Sequence, residues 1–188
     1  MEYDENIICK KHNIILKKNT EDNTFSLNFK ITNINIDISK IINVNLFLLF
    51  YELNKEIIEE ANILSTNDEK TEINILYIFK QFGTELGIAK KYMNLEIKKQ
   101  CVNNNIYFNS KTIEYDKNNS NINLDKCEEI KSNYSNLNIT NIKTHSADFE
   151  YSFNMDMNED LPIYMENLIG VLMKKIFINI KEFIEKLK

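Results

Sequence analysis

The 188-residue chain carries a net charge of −5, draws all 23 of its basic residues from lysine, and has one proline and three glycines. Scattered lysines among acids argue against a nucleic-acid coat, and the absence of arginine removes bidentate recognition of phosphate or guanine. So few glycines leave no phosphate-cradling loop and no collagen-like or linker-rich architecture.

One domain spanning residues 1–188 is expected, able to bury about 70% of its unfolded surface. Cys9, Cys101 and Cys127 are odd in number and in no C-x-x-C pair. They point to reduced thiols rather than a disulfide framework or a zinc site. Residues 1–11 are polar and acidic, unlike a secretory signal. The longest apolar run, Leu46 to Tyr51, falls far short of a membrane span. A soluble cytoplasmic monomer without cofactor or metal is the expectation.

Along the chain, Ile7 to Lys11 and Ile14 to Lys18 read as short strands divided by His12-Asn13, and Phe25, Leu27, Phe29 and Ile31 alternate with polar residues as a half-buried strand. Asp37 or Ser39 can cap one or two helices within Ser39 to Ile58, after which Ala61 to Ser65 can pair as a strand. Glu72 to Phe82 alternates with apolar residues on both faces, so cover on both sides is predicted. A loop with two glycines follows. Met93 to Cys101 and Ile106 to Tyr115 form a predicted hairpin around Val102 to Asn105, where Asn tolerates left-handed backbone. Beyond the Asn-rich loop from Asp116 to Asp125, two weaker strands are predicted at Lys126 to Tyr134 and Asn138 to Lys143.

The final third carries the strongest pattern. Ala147, Phe149, Tyr151, Phe153, Met155 and Met157 alternate with polar residues as a strand with one buried face. Asp160 and Pro162 then mark a helix start. From Pro162 to the end, Leu161, Met165, Leu168, Ile169, Leu172, Met173, Ile176, Ile180, Phe183 and Leu187 fall on one side, flanked by Phe177 and Ile184. Lys174, Lys181 and Glu185 fall opposite. A helix of roughly 40 Å with so wide an apolar arc predicts contact on two sides, as in a groove. The element order is α+β, with antiparallel pairing rather than βαβ units.

In this order, and in the spacing of Pro162, Tyr164 and Asn167 after Asp156, the chain resembles the START family of lipid-binding domains, within the helix-grip superfamily that includes Bet v 1-like proteins. Ile36 to Glu60 is similar to that family's small central helices, and TEINILYIFKQF with GIAKKYMNLEIKKQ is similar to its paired strands joined by a loop over the cavity mouth. Where the family often has arginine beside that loop and in a later strand, this chain has Lys90 or Lys91 and Cys127 or Glu128. A guanidinium contact to a headgroup is not carried over.

The resemblance implies a curved antiparallel sheet closed by the C-terminal helix, with a hydrophobic tunnel holding one phospholipid or sterol. It also implies transient contact with a membrane surface. The apolar faces supply candidate wall residues: Phe29, Ile31, Ile75, Tyr77, Phe79, Leu95, Ile97, Phe149, Tyr151, Phe153, Met165, Leu172, Ile176 and Ile180. Lys90 and Lys91 beside the loop suit an anionic surface or phosphate.

Catalytic signals are sparse. His12 and His145 are far apart with no nucleophile motif beside either, and the pairs Glu59-Glu60, Glu128-Glu129 and Glu159-Asp160 sit in polar segments without a histidine at ligand spacing. A non-enzymatic lipid carrier is the leading expectation. A protein-interaction module with a filled core is the second, and a Bet v 1-like cyclase or hydrolase the third.

Overall fold

Two-residue turns organise the sheet from its first edge. His12 and Asn13 adopt φ of 55° and 57° between β1 (Glu5–Lys11) and β2 (Ile14–Asn19). That left-handed pair matches the twist of a tight hairpin. A computed structural model describes residues 5–19, 21–22, 24–81, 89–116, 122–156 and 163–188. After β3 (Phe25–Thr32) come α1 (Ile38–Ile41) and α2 (Leu46–Glu52), then β4 (Ile58–Thr66), β5 (Glu72–Phe79), β6 (Lys90–Val102) and β7 (Asn105–Thr112). The chain closes with β8 (Cys127–Glu129), β9 (Lys131–Lys143), β10 (Ser146–Asp156) and α3 (Ile163–Lys186).

The strands form one curved sheet in the order β1-β2-β3-β10-β9-β7-β6-β5-β4, with β8 beside β6. All pairings along this path are antiparallel. The expected α+β helix-grip arrangement is the observed one, with α3 lying in the sheet's concave face. Asp37 caps α1 by accepting the Ser39 amide at 3.1 Å. Asn103 and Asn104, with φ of 48° and 64°, turn the β6–β7 hairpin. β5 is covered on both faces: Ile75 and Tyr77 join the main core, while Leu76 and Ile78 pack with Tyr92, Tyr115 and Leu124.

Two expectations about strands are corrected. Lys126 to Tyr134 is not one strand: Cys127–Glu129 pairs with β6, and in parallel. The second weak strand is instead a 13-residue one, β9, reaching from Lys131 to Lys143. Its asparagines lower its intrinsic preference, but it lies between β7 and β10 and buries Leu137 and Ile139, so neighbours decide. The helix-start signals Asp160, Leu161 and Pro162, the strand residue Met157, and the loop residues 82–88 lie outside the described residues.

α3 runs 24 residues, about 36 Å. Met173, Ile176, Phe177, Ile180 and Ile184 are buried, whereas Leu168, Val171 and Phe183 are exposed. Leu168 and Phe183 were expected inward and Lys174 and Lys181 outward; the structure reverses both pairs. The β1–β2 side of the sheet climbs beside the helix, so that Lys174 Nζ lies 3.2 Å from Cys9 Sγ, and Lys181 donates to Glu185 one turn on. The predicted two-sided grip therefore holds, rotated towards those lysines.

Phe177 sits at the centre of the grip, its ring 4.6 Å from Tyr151, 5.1 Å from Phe50 and 5.7 Å from Phe29 between centroids. Phe25 stacks on Phe153 and Phe29 on Phe149 beneath it. Polar clamps secure the same half of the helix. Buried Asn33 donates to the carbonyls of Ile184 and Leu187 at 2.7 and 2.8 Å, satisfying groups that a helix end leaves free. Asn179 donates to Asn54 Oδ1 at 2.8 Å.

Gly170 marks the closest approach of helix to sheet: a Cβ there would lie 2.7 Å from the Phe25 ring. That ring cannot swing freely, because it is stacked on Phe153 at 5.2 Å. Gly170→Ala should therefore destabilise the protein by about 1 to 2 kcal/mol, the overpacking strain exceeding a helix-propensity gain of about 1 kcal/mol. Urea denaturation of the variant measures it; an unchanged or raised midpoint contradicts the close approach.

Candidate functional site: an apolar cavity beneath the terminal helix

Towards its N-terminal end α3 stays against β2 and β3 at Gly170 but parts from the opposite side of the sheet, where β5 ends. A cavity of about 130 Å³ opens there between Ile169, Leu172, Met173 and Ile176 of α3, Ile57, Phe79 near the end of β5, and Ile130. Glu56, Lys80 and Gln81 form its polar rim. A second, inner space of about 30 Å³ shares Phe79, Met173 and Ile176 and continues among Phe47, Phe50, Ile58, Tyr77, Met93, Leu95, Ser110, Ser135 and Tyr151. A depression of about 440 Å³ near β8 is lined by Gln81, Ala89, Lys90, Asn123, Asp125, Lys126 and Cys127. Its charged and amide groups suit water rather than hydrocarbon.

The fourteen candidate wall residues divide. Tyr77, Phe79, Leu95, Tyr151, Leu172 and Ile176 come together around the two spaces. Phe29, Ile31, Ile75, Ile97, Phe149, Phe153 and Ile180 are buried in the main core and line neither space. The Met165 side chain lies outside the described residues. Alternation and helical period identify inward faces but not the gap beyond them, so core and cavity wall read alike.

Sequence reasoning missed Phe47, Phe50, Ile57, Ile58, Met93, Ile130, Ile169 and Met173 as wall residues, and with them Ser110 and Ser135. Met173 was read as a helix-face residue only. The serines carried little signal: each stands where an apolar strand face gives way to polar residues, Ser110 between Phe108 and Thr112 and Ser135 between Asn133 and Leu137. They sit opposite each other in the β7–β9 register and are buried.

Electrostatically the inner space is neutral. The Tyr77 hydroxyl donates to the Phe47 carbonyl at 2.7 Å, and burial pushes its phenol far above the ordinary value. Burial pushes Tyr151 up to about 12, with the neighbouring Ser135 hydroxyl acting in the opposite sense. At the rim, the Glu56 backbone amide, helped by Lys175 and Asn179, holds the Glu56 carboxyl below its usual range. The lysines expected to face an anionic surface are engaged within the protein. Lys90 pairs with Glu59 at 2.8 Å, and Lys91, only 1% exposed, pairs with Glu128 at 2.7 Å. Lys91 is therefore not a surface charge. His145 Nδ1 donates to the Ile36 carbonyl, 3.0 Å away, at the corner before α1. Among the described residues no three His, Cys, Asp or Glu side chains gather as a metal site would require.

A curved antiparallel sheet around one long terminal helix defines the helix-grip fold, here with a small apolar space on one side of the helix. In its particulars the fold is that of the START domain. The structure of human STARD10 superposes with a TM-score of 0.72 over 98% of this chain and 74% of its own, at 9% identity. The lipid transfer and protein localization domain of human StarD13 matches with a TM-score of 0.73, 12% identity, and coverage of 97% and 90%. The STAR-related lipid transfer protein of Xanthomonas axonopodis gives 0.69, 8%, and coverage of 97% and 99%. No protein-family model matches the chain, and no curated protein matches it in sequence.

The two buried phenols predict an alkaline limit to stability. Their ordinary value is 10.0, so above about pH 10 the unfolded chain releases protons that the folded chain keeps. Stability falls by about 1.4 kcal/mol per pH unit for each, the Tyr151 part ending as its folded value near 12 is reached. Urea denaturation between pH 9 and 11 should show a loss that the Tyr77→Phe/Tyr151→Phe double variant largely abolishes. Equal pH slopes in the two proteins would contradict the assignment.

Proposed function

We propose that the protein binds and transfers a lipid, holding its apolar body between α3 and the sheet. The observation that carries this reading is the apolar cavity beneath the less-buried half of α3. Leu168 and Val171, 40% and 41% exposed, alternate there with the wall residues Ile169 and Leu172. The other half of the helix is fastened by Phe177, Asn179 and the Asn33 clamp. A helix fastened at its C-terminal half, and flanked at its N-terminal half by the sheet at Gly170 on one side and by the cavity on the other, can tilt away from the cavity side.

At about 130 Å³ the outer cavity is smaller than the roughly 300 to 1,000 Å³ of ordinary ligand sites, so a lipid enters only as the first turns of α3 move outward. The driving force is about 0.8 kcal/mol for each methylene taken from water, and it accumulates along a chain. Exposed Leu168 and Val171 beside the mouth suit brief contact with a membrane surface. The neighbours described as lipid transfer proteins support the same reading. In it the chain acts as a monomeric single domain in the cytosol, with a phospholipid or sterol as cargo and no covalent chemistry.

Tight packing around Phe177 favours a second reading, an interaction module with a filled core. Native mass spectrometry after incubation with vesicles of mixed phospholipid and sterol separates the two. A bound lipid of defined mass is expected, and Leu172→Trp, which places an indole in the outer cavity, should remove most of it while leaving far-UV circular dichroism unchanged. A protein that stays ligand-free across the mixture sinks the carrier reading.

A further inference from the structure

The inner space offers a chemistry that the outer cavity lacks. Four hydroxyls, from Tyr77 on β5, Ser110 on β7, Ser135 on β9 and Tyr151 on β10, occur in a wall otherwise made of hydrocarbon and methionine side chains. None of its described lining residues bears a charge; Glu56 and Lys80 belong to the rim of the outer cavity. Ser110, 7% exposed, lines this space opposite Ser135. The Tyr77 hydroxyl spends its proton on the Phe47 carbonyl and keeps its lone pairs free to accept.

We infer that this inner space is a recognition site for one neutral hydroxyl group, so that the ligand is an alcohol-headed lipid that enters head first. The inference rests on the lipid-binding reading above and narrows it. Size agrees: about 30 Å³ has room for about one or two water molecules, which suits a hydroxyl better than a bulky phosphate group. Charge agrees as well. An ionised carboxylate or phosphate buried there would meet no counter-charge, whereas an alcohol can donate to one serine and accept from the other. A lipid entering tail first would press methyl groups against the Ser110 and Ser135 hydroxyls and return no hydrogen bond to them, whereas an alcohol would.

The test compares probes that share a twelve-carbon chain, each displacing neutral N-phenyl-1-naphthylamine from the intact protein: 1-dodecanol, its methyl ether, dodecanoate and dodecyl phosphate. Dodecanol should displace the dye at roughly tenfold lower concentration than either anion. The Ser110→Ala/Ser135→Ala double variant should lose about tenfold in affinity for dodecanol and none for the methyl ether. Tyr151→Phe, which keeps the ring and removes only its hydroxyl, gives an independent reading of the same loss if the double variant folds poorly. Anions that displace as well as the alcohol, or an alcohol affinity untouched by these substitutions, overturn the inference and leave the carrier reading standing. Failure of the dye and of all four probes to bind overturns both.

Discussion

The seating of Phe177 is the contact on which the rest of the structure depends. Its ring meets Phe29 from β3, Phe50 from α2 and Tyr151 from β10, so one side chain ties the terminal helix to three separate parts of the chain. Aromatic pairs at these separations add directional attraction to the burial of large apolar areas. The sheet curves around this point, and Gly170 lets the helix come close enough for the ring to reach its seat.

Because the anchor lies in the middle of α3 and the polar clamps lie beyond it, the two halves of the helix do different work. The C-terminal half is core: Ile180 and Ile184 are buried, and Asn33 takes up the last carbonyls. The N-terminal half borders a space the sheet does not fill, and the side chains of residues 167–169, 171 and 172 there are half-buried or exposed. Local opening draws on regions with few buried contacts, so this half is where the fold can yield at least cost. The hydroxyl-lined inner space lies at the boundary between the halves, against Met173 and Ile176.

Much of the fold was legible in the sequence. Paired His-Asn and Asn-Asn turns, the alternation of Phe25 to Ile31, and the Asp37 cap each rest on local chemistry that the tertiary structure left in place. Properties set by distant neighbours were not. β9 is a long strand because β7 and β10 flank it, and Lys174 is buried because the first hairpin rises beside it. The candidate site was legible by half for the same reason. A periodic pattern says that Phe149 and Tyr151 both face inward, yet only packing tells that Phe149 meets Phe29 while Tyr151 borders a space. Ser110 and Ser135 stand at the polar ends of their apolar runs, and their importance follows from their being opposite each other, which only strand register reveals.

The division of α3 is the central claim, and backbone hydrogen exchange resolved along the helix tests it most directly. Amides of residues 167–172 should exchange by local opening, well before those of residues 176–184, whose protection should approach that of the core strands. Uniform protection along the whole helix would contradict the account, since a lid fixed evenly at both ends has no free end by which a lipid could enter.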